Sequence, residues 1–264
     1  MPETVRRLAR QDWRAGQLNH DTDQVVVEVP VALAYNGISH AVLMATPCDL
    51  EDLALGFSLS ESIIESPQQF LGVEILEREH GLELAIEITA QPFATLKGKR
   101  RNLSGRSGCG LCGKESLEAL QLSAPCVPTT LSLAQEALQC AVDGLDGAQP
   151  LKALTGGVHG AAWCDTEGNI LLLREDVGRH NALDKLLGAM RKRAAEPGFV
   201  LVSSRASYEM VLKAGTSGVE LLAAVSAPTD LAVRSAQDLG MTLVAYLQGE
   251  RHAVYCGGQR LKEG

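Results

Sequence analysis

Cys109 and Cys112 stand two residues apart in RSGCGLCG, residues 106–113, and Lys97, Lys99, Arg100, Arg101 and Arg106 precede them. A positive field lowers a thiol pKa and favours the nucleophilic thiolate. A CxxC pair has three ordinary uses: an exchanging dithiol, half of a zinc site, or a pair that carries sulfur as a persulfide. The sequence has no second CxxC and no closely spaced histidine pair, which weighs against structural zinc, and no metal is expected. A thioredoxin-like dithiol belongs between a buried strand and a helix, whereas this pair follows a basic, glycine-rich run. Carriage needs a reactive sulfur at the tip of a mobile loop. Cys109, nearer the basic run, is the candidate carrier, and Cys112 the thiol that would assist it or resolve the persulfide as a disulfide.

A second group of residues could hold an anion. TGGVHG at 155–160 and REDVGRHNALDK at 174–185 combine glycines that can expose backbone N–H groups with Arg174, Arg179, His180 and Lys185, which can meet phosphates. The competing reading makes His159 a structural histidine and Arg174, Glu175 and Asp176 a solvated face. SSRASYEM at 203–210 puts hydroxyls and Arg205 at a strand-to-helix turn, where α/β domains bind ligands, although helix capping explains part of that pattern.

These residues need a scaffold, and the chain is long enough to supply one. Its 264 residues are 45% hydrophobic, sufficient for a packed core in one large or two ordinary domains. No apolar run reaches membrane-span length and the start lacks a signal-peptide segment, so a cytoplasmic protein with no membrane association is expected. Seven cysteines without regular spacing argue against a disulfide framework. A net charge of -8 argues against nucleic-acid binding and makes the basic run before Cys109 a local anion-attracting feature.

Residues 1–23 lack apolar periodicity and are expected to form a mobile arm with a short early strand. An N-terminal α+β unit is expected over 24–128, ending in the CxxC loop. It holds a hairpin around Asn36-Gly37, an amphipathic helix after Pro47, and a second hairpin around His80-Gly81. Lys97 to Gly113 reads as an exposed loop and KESLEALQL as a short helix. Over 129–264 strands and helices alternate, which predicts an α/β layered unit with a partly parallel sheet. Thr229 is the expected N-cap of the helix at 230–239, and Gly240 its C-terminal stop.

RSGCGLCG, TGGVHGAA, REDVGRHNALDK, SYEMVLKA, SAPTDLAV and TPCDLEDLALGF occur in an order that closely resembles the FdhD family of sulfur carriers needed for formate dehydrogenase activity. The resemblance covers residues 24–262. It implies a sulfurtransferase that accepts sulfur from a cysteine desulfurase and passes it to the molybdenum cofactor, bis(molybdopterin guanine dinucleotide), before that cofactor enters formate dehydrogenase. It implies the persulfide on Cys109 with Cys112 as second thiol, a cytidine-deaminase-like C-terminal unit that takes the guanine nucleotide end of the cofactor, and a homodimer. The family's cofactor segment falls on YLQGER: Tyr246, Leu247, Gln248, Gly249, Glu250 and Arg251. Tyr246 stands where phenylalanine is common and Gln248 where arginine is frequent, while Arg251 is retained. Zinc deamination is not expected, because H-x-E and P-C-x-x-C are both missing.

Overall fold

The computed structural model describes residues 3–101, 125–192 and 196–262. Cys109, Cys112 and the helix expected from KESLEALQL lie outside the described residues. Where one short strand was expected within 1–23, β1 (Val5–Arg14) and β2 (Gln17–Val26) form a regular antiparallel ladder, turning at Ala15 and Gly16 with φ of 49° and 80°. Its strands alternate polar residues on both faces, so no apolar period marks them in the sequence.

β3 (Val29–Tyr35) and β4 (Ile38–Ala45) meet at Asn36-Gly37, where φ is 45° and 80°, the two left-handed positions that a tight hairpin turn requires. α1 (Leu50–Ser60) follows, then the hairpin of β5 (Phe70–Arg78) and β6 (Gly81–Ile88). The four strands form one sheet in the order β4-β3-β6-β5, with β3 and β6 parallel at its centre. α1 was expected to be amphipathic, yet every residue from Asp52 to Ser60 is buried. One side packs Leu53, Ala54 and Phe57 against Val31, Leu33, Leu84 and Ile86 of the sheet, and the other meets the next unit. α2 (Ala90–Arg101) makes the beginning of the expected basic loop helical.

The remaining elements are β7 (Leu133–Ala134), α3 (Gln135–Leu145), α4 (Pro150–Thr155), β8 (His159–Asp165), β9 (Ile170–Asp176), α5 (Arg179–Met190), β10 (Gly198–Val202), α6 (Tyr208–Thr216), β11 (Leu221–Ala224), α7 (Asp230–Asp238), β12 (Thr242–Gln248), β13 (Arg251–Cys256) and β14 (Leu261–Lys262). Six strands form a sheet in the order β13-β12-β11-β10-β8-β9, parallel across β10, β11 and β12 and antiparallel elsewhere. This mixed α/β architecture agrees with the alternation in the sequence. Val200, Val202 and Leu222 face α5, α6 and α7, while Phe199, Leu201 and Leu221 face α3, so the sheet is buried on both sides. That two-sided burial is why the GFVLV strand reads as an unbroken apolar run. Thr229 caps α7 by accepting from Ala232 N at 3.3 Å, and Gly240 follows at φ 66°, both as expected.

α1 and α5 join the two halves at van der Waals limit. A Cβ on Gly56 would lie 1.7 Å from Asp184 O, and one on Gly188 would lie 2.0 Å from Asp52 O. Only glycine permits backbones this close.

Candidate functional site

The C-terminal ends of β10, β11 and β12, the N-terminal end of β8 and the C-terminal end of β9 all lie at one edge of the six-stranded sheet. Every loop marked in the sequence of this half therefore opens on that edge: 155–160, 177–180, 203–208, 225–230 and 246–251. A crevice outside the carboxyl ends of parallel strands is where open α/β sheets bind ligands.

Backbone hydrogen bonds set the first part of the crevice. Gly160 N donates to Ser203 Oγ at 2.8 Å and Ser203 N donates back to Gly160 O at 2.9 Å, tying the TGGVHG turn to the end of β10. Glu175 fixes the segment before that turn. Its carboxylate accepts from Leu151 N and Lys152 N, each at 2.9 Å, and so caps the start of α4.

His159, Arg179, His180, Ser207 and Glu209 gather beside this turn. His180 Nε2 lies 2.8 Å from Glu209 Oε2, which joins the first turn of α5 to the first turn of α6. The Glu209 carboxyl is held below its ordinary range, first by the hydrogen bond from His180, which outweighs burial, and further by the charges of His180, Lys213 and Arg179. Burial pushes the half-buried His159 below the usual histidine value, and the neighbouring Arg179 and His180 push it the same way, so it is neutral at pH 7. Arg179 Nε and Ser207 Oγ are buried without a hydrogen-bond partner among the described residues, which leaves donor capacity at this edge unused within the chain. The sequence pointed to Arg179 and His180, favoured a structural role for His159, and missed Glu209. The signal for it was the spacing of Glu209 and Lys213, one helical turn apart on α6.

Two expected phosphate ligands are employed elsewhere. Lys185 is fully buried and donates to Asp176 Oδ2 at 2.6 Å and to Thr46 O at 3.0 Å, and Asp176 also accepts from Thr46 N at 3.0 Å. Arg174 donates through Nε to Asp52 Oδ2 at 2.8 Å and lies 3.5 Å from Asp49 Oδ1. Both cations clamp the C-terminal half onto the β4–α1 connection, so neither is free for an anion. A third clamp joins Lys213 to Asp184 at 2.9 Å, Glu61 at 2.8 Å and Ser60 Oγ at 3.0 Å. Burial alone would lower the Lys213 pKa, but the Asp184 and Glu61 carboxylates outweigh it and hold the ammonium charged.

Farther along the same edge, Tyr246 sits at the irregularity near the end of β12 with φ 53°, its N–H donating to Ser226 O at 3.2 Å. Arg251 Cζ stands 6.0 Å over the Tyr246 ring, a cation–π contact. Tyr246, Gln248, Gly249, Glu250 and Arg251 are exposed, whereas Leu247 points into the apolar layer under α3. Three strand spacings, about 14 Å, separate β8, which carries His159, from β12, which carries Tyr246, along this edge. A cavity of about 630 Å³ at the opposite end, lined by Trp163, Leu172, Leu187 and Met190, is separate from this crevice.

Among the described cysteines, Cys48 is pushed up to about 11 and Cys164 up to about 12, in both cases chiefly by burial, and burial raises Cys256 too. These three thiols are packing groups. No cluster of three histidine, cysteine or acidic side chains able to hold a metal occurs among the described residues.

Residues 26–262 match the model of the FdhD/NarQ family. The chain is 51% identical to the sulfur carrier protein FdhD of Cupriavidus necator, over 99% of this chain and 91% of that protein. It is 48% identical to the sulfur carrier protein FdhD of Xanthomonas euvesicatoria, over 100% of this chain and 94% of the other. A crystal structure from Desulfotalea psychrophila, described as a candidate formate dehydrogenase accessory protein, superposes with a TM-score of 0.76 at 24% identity, over 98% of this chain and 100% of that one.

Proposed function

The chain belongs to the FdhD/NarQ family, and on that premise we propose that it is a sulfur carrier acting as a sulfurtransferase for a formate dehydrogenase. Sulfur arrives from a cysteine desulfurase. The Cys109 thiolate attacks the terminal sulfur of the donor's persulfide, a new S–S bond forms on Cys109, and the old S–S bond breaks with its electron pair left on the donor cysteine. The acceptor is bis(molybdopterin guanine dinucleotide), sulfurated before it enters the dehydrogenase. Cys112 is the second thiol, which assists Cys109 or resolves its persulfide by attack on the Cys109 sulfur with hydrosulfide leaving. The protein works as a homodimer in the cytoplasm, and its C-terminal half is layered as in cytidine deaminases.

The observation that carries this reading is the convergence of His159, Arg179, His180 and the Tyr246–Arg251 turn on the carboxyl edge of one parallel sheet segment. That edge takes the nucleotide end of the cofactor: Arg251 meets a phosphate, and Tyr246, Gln248, Gly249 and Glu250 border the ligand beside it. Leu247 supports the turn from below.

Incubation with a desulfurase and sulfur-labelled cysteine is expected to label the wild-type chain and to leave Cys109→Ala unlabelled. Undiminished labelling of that variant would overturn the assignment of Cys109. GDP serves as the probe of the nucleotide end. Arg251→Ala should weaken its binding roughly 10-fold or more, the effect of one charge-assisted contact, and unchanged affinity would remove the turn from the site.

A further inference from the structure

The cavity of about 630 Å³ at the end of the sheet away from the candidate site lies between the last turns of α5 and α6 and the strand ends around Trp163, Leu172 and Gly198. Trp163 faces Leu172 across β8 and β9, and Val200 of β10 extends the row. Gly198 lies two residues before Val200 and so on the same side of the sheet. A Cβ there would lie 3.0 Å from Trp163 Cε2 and Cζ2, so the indole rests along bare backbone. Trp163, Leu172 and Met190 pack on the main core yet stay only partly buried, which leaves apolar surface facing the cavity. Its volume falls within the range of about 300–1,000 Å³ in which proteins hold small ligands.

The polar groups around this cavity are not equivalent. Glu220 is fully engaged: its carboxylate accepts from Thr130 N, Thr130 Oγ1, Leu131 N and Arg260 Nε. Arg191 is exposed at the mouth, and its Nη2 donates to Ser217 O at 2.8 Å, which holds the guanidinium between the two helix ends. Ser217 Oγ, beside it, is buried without a hydrogen-bond partner among the described residues. An orphaned hydroxyl at a cavity wall calls for a partner from outside the chain. Glu196 adds an exposed carboxylate to the same lining.

We propose that this cavity binds a large apolar α-amino acid as its zwitterion. The side chain lies against Trp163, Leu172, Leu187 and Met190, the carboxylate meets Arg191 and the Ser217 hydroxyl, and the ammonium meets Glu196. A guanidinium pairs with a carboxylate through parallel N–H donors, and methionine adapts its shape to different apolar side chains. Arg191 alone would suit an apolar acid and Glu196 alone an apolar amine. A mouth that carries both charges selects the molecule that carries both. The cavity is separate from the nucleotide edge, so the inference does not rest on the proposed function.

The chain has two tryptophans, and Trp13→Phe leaves Trp163 as the sole emitter. L-Phenylalanine, which does not absorb where tryptophan is excited selectively, is expected to shift Trp163 emission saturably, with one site per chain. Phenylpropionate and phenethylamine, each lacking one of the two charges, should bind roughly 10-fold more weakly, the effect of one charge-assisted contact. Arg191→Ala should erase the advantage of phenylalanine over phenethylamine, and Glu196→Gln its advantage over phenylpropionate. Met190→Trp, which fills the cavity, should abolish the heat of phenylalanine binding in calorimetry with native circular dichroism retained. No saturable shift with phenylalanine, equal affinity for all three compounds, or binding that survives Met190→Trp would overturn the proposal.

Discussion

At Gly56 and Gly188 the requirement is absolute distance. A methyl group at either position would overlap a backbone carbonyl of the facing helix, and no flexible side chain is there to yield. Gly188→Ala is therefore expected to cost ~3 kcal/mol, the upper end of overpacking effects, read as a fall in the urea midpoint with the slope unchanged. His159 shows a different dependence on its surroundings. Its folded pKa lies below the ordinary 6.5 because burial disfavours the charged ring. Between the folded value and 6.5 the unfolded chain binds more protons, so stability is lost as pH falls below about 6.5. His159→Gln should flatten the dependence of the thermal midpoint on pH just below about 6.5, and an unchanged slope there would show that another group carries it.

Helices α5 and α6 are joined by two contacts one turn apart, His180 with Glu209 at the open edge and the Asp184–Lys213 ion pair beneath it. Lys213→Met would strand the fully buried Asp184 carboxylate, at a cost of ~3–5 kcal/mol, whereas Lys213→Met/Asp184→Leu should recover most of that loss. Chemical denaturation of both variants decides the matter. None of this pairing was legible in the sequence, for a physical reason that also governs Arg174 and Lys185. Those two residues sit in a motif full of glycine and charge, and read locally they resemble phosphate ligands. Asp52, the partner of Arg174, is 122 residues away in the chain, and Lys185 pairs with Asp176 nine residues away only where Thr46, 139 residues away, closes the site over both. What local chemistry dictates was legible: Asn36-Gly37 demands positive φ, Thr229 needs only Ala232 N, and the alternation of strand and helix after 131 follows from period. The β1–β2 hairpin was hidden because its polar residues alternate on both faces, and α1 looked amphipathic because Asp52, Ser58 and Ser60 are polar although buried.

The apolar cores of the molecule separate cleanly along the chain, one drawn from 31–88 and two from 127–247, yet the polar clamps do not respect that division. Thr46 and Asp52 bind cations of the C-terminal half, and Ser60 and Glu61 complete the shell around Lys213. A chain of residues 129–264 contains all six strands of the larger sheet but would expose the glycine-lined face of α5 and leave Lys185 and Lys213 short of partners. Each lost partner of a buried charge costs on the order of 1–3 kcal/mol, comparable in sum to the whole stability of a domain. The intact chain is accordingly expected to unfold in one transition, with tryptophan fluorescence and circular dichroism coincident in urea. The 129–264 fragment should show no cooperative transition of its own. A fragment that melts cooperatively near the midpoint of the full chain would show that the clamps position the candidate site without stabilising it.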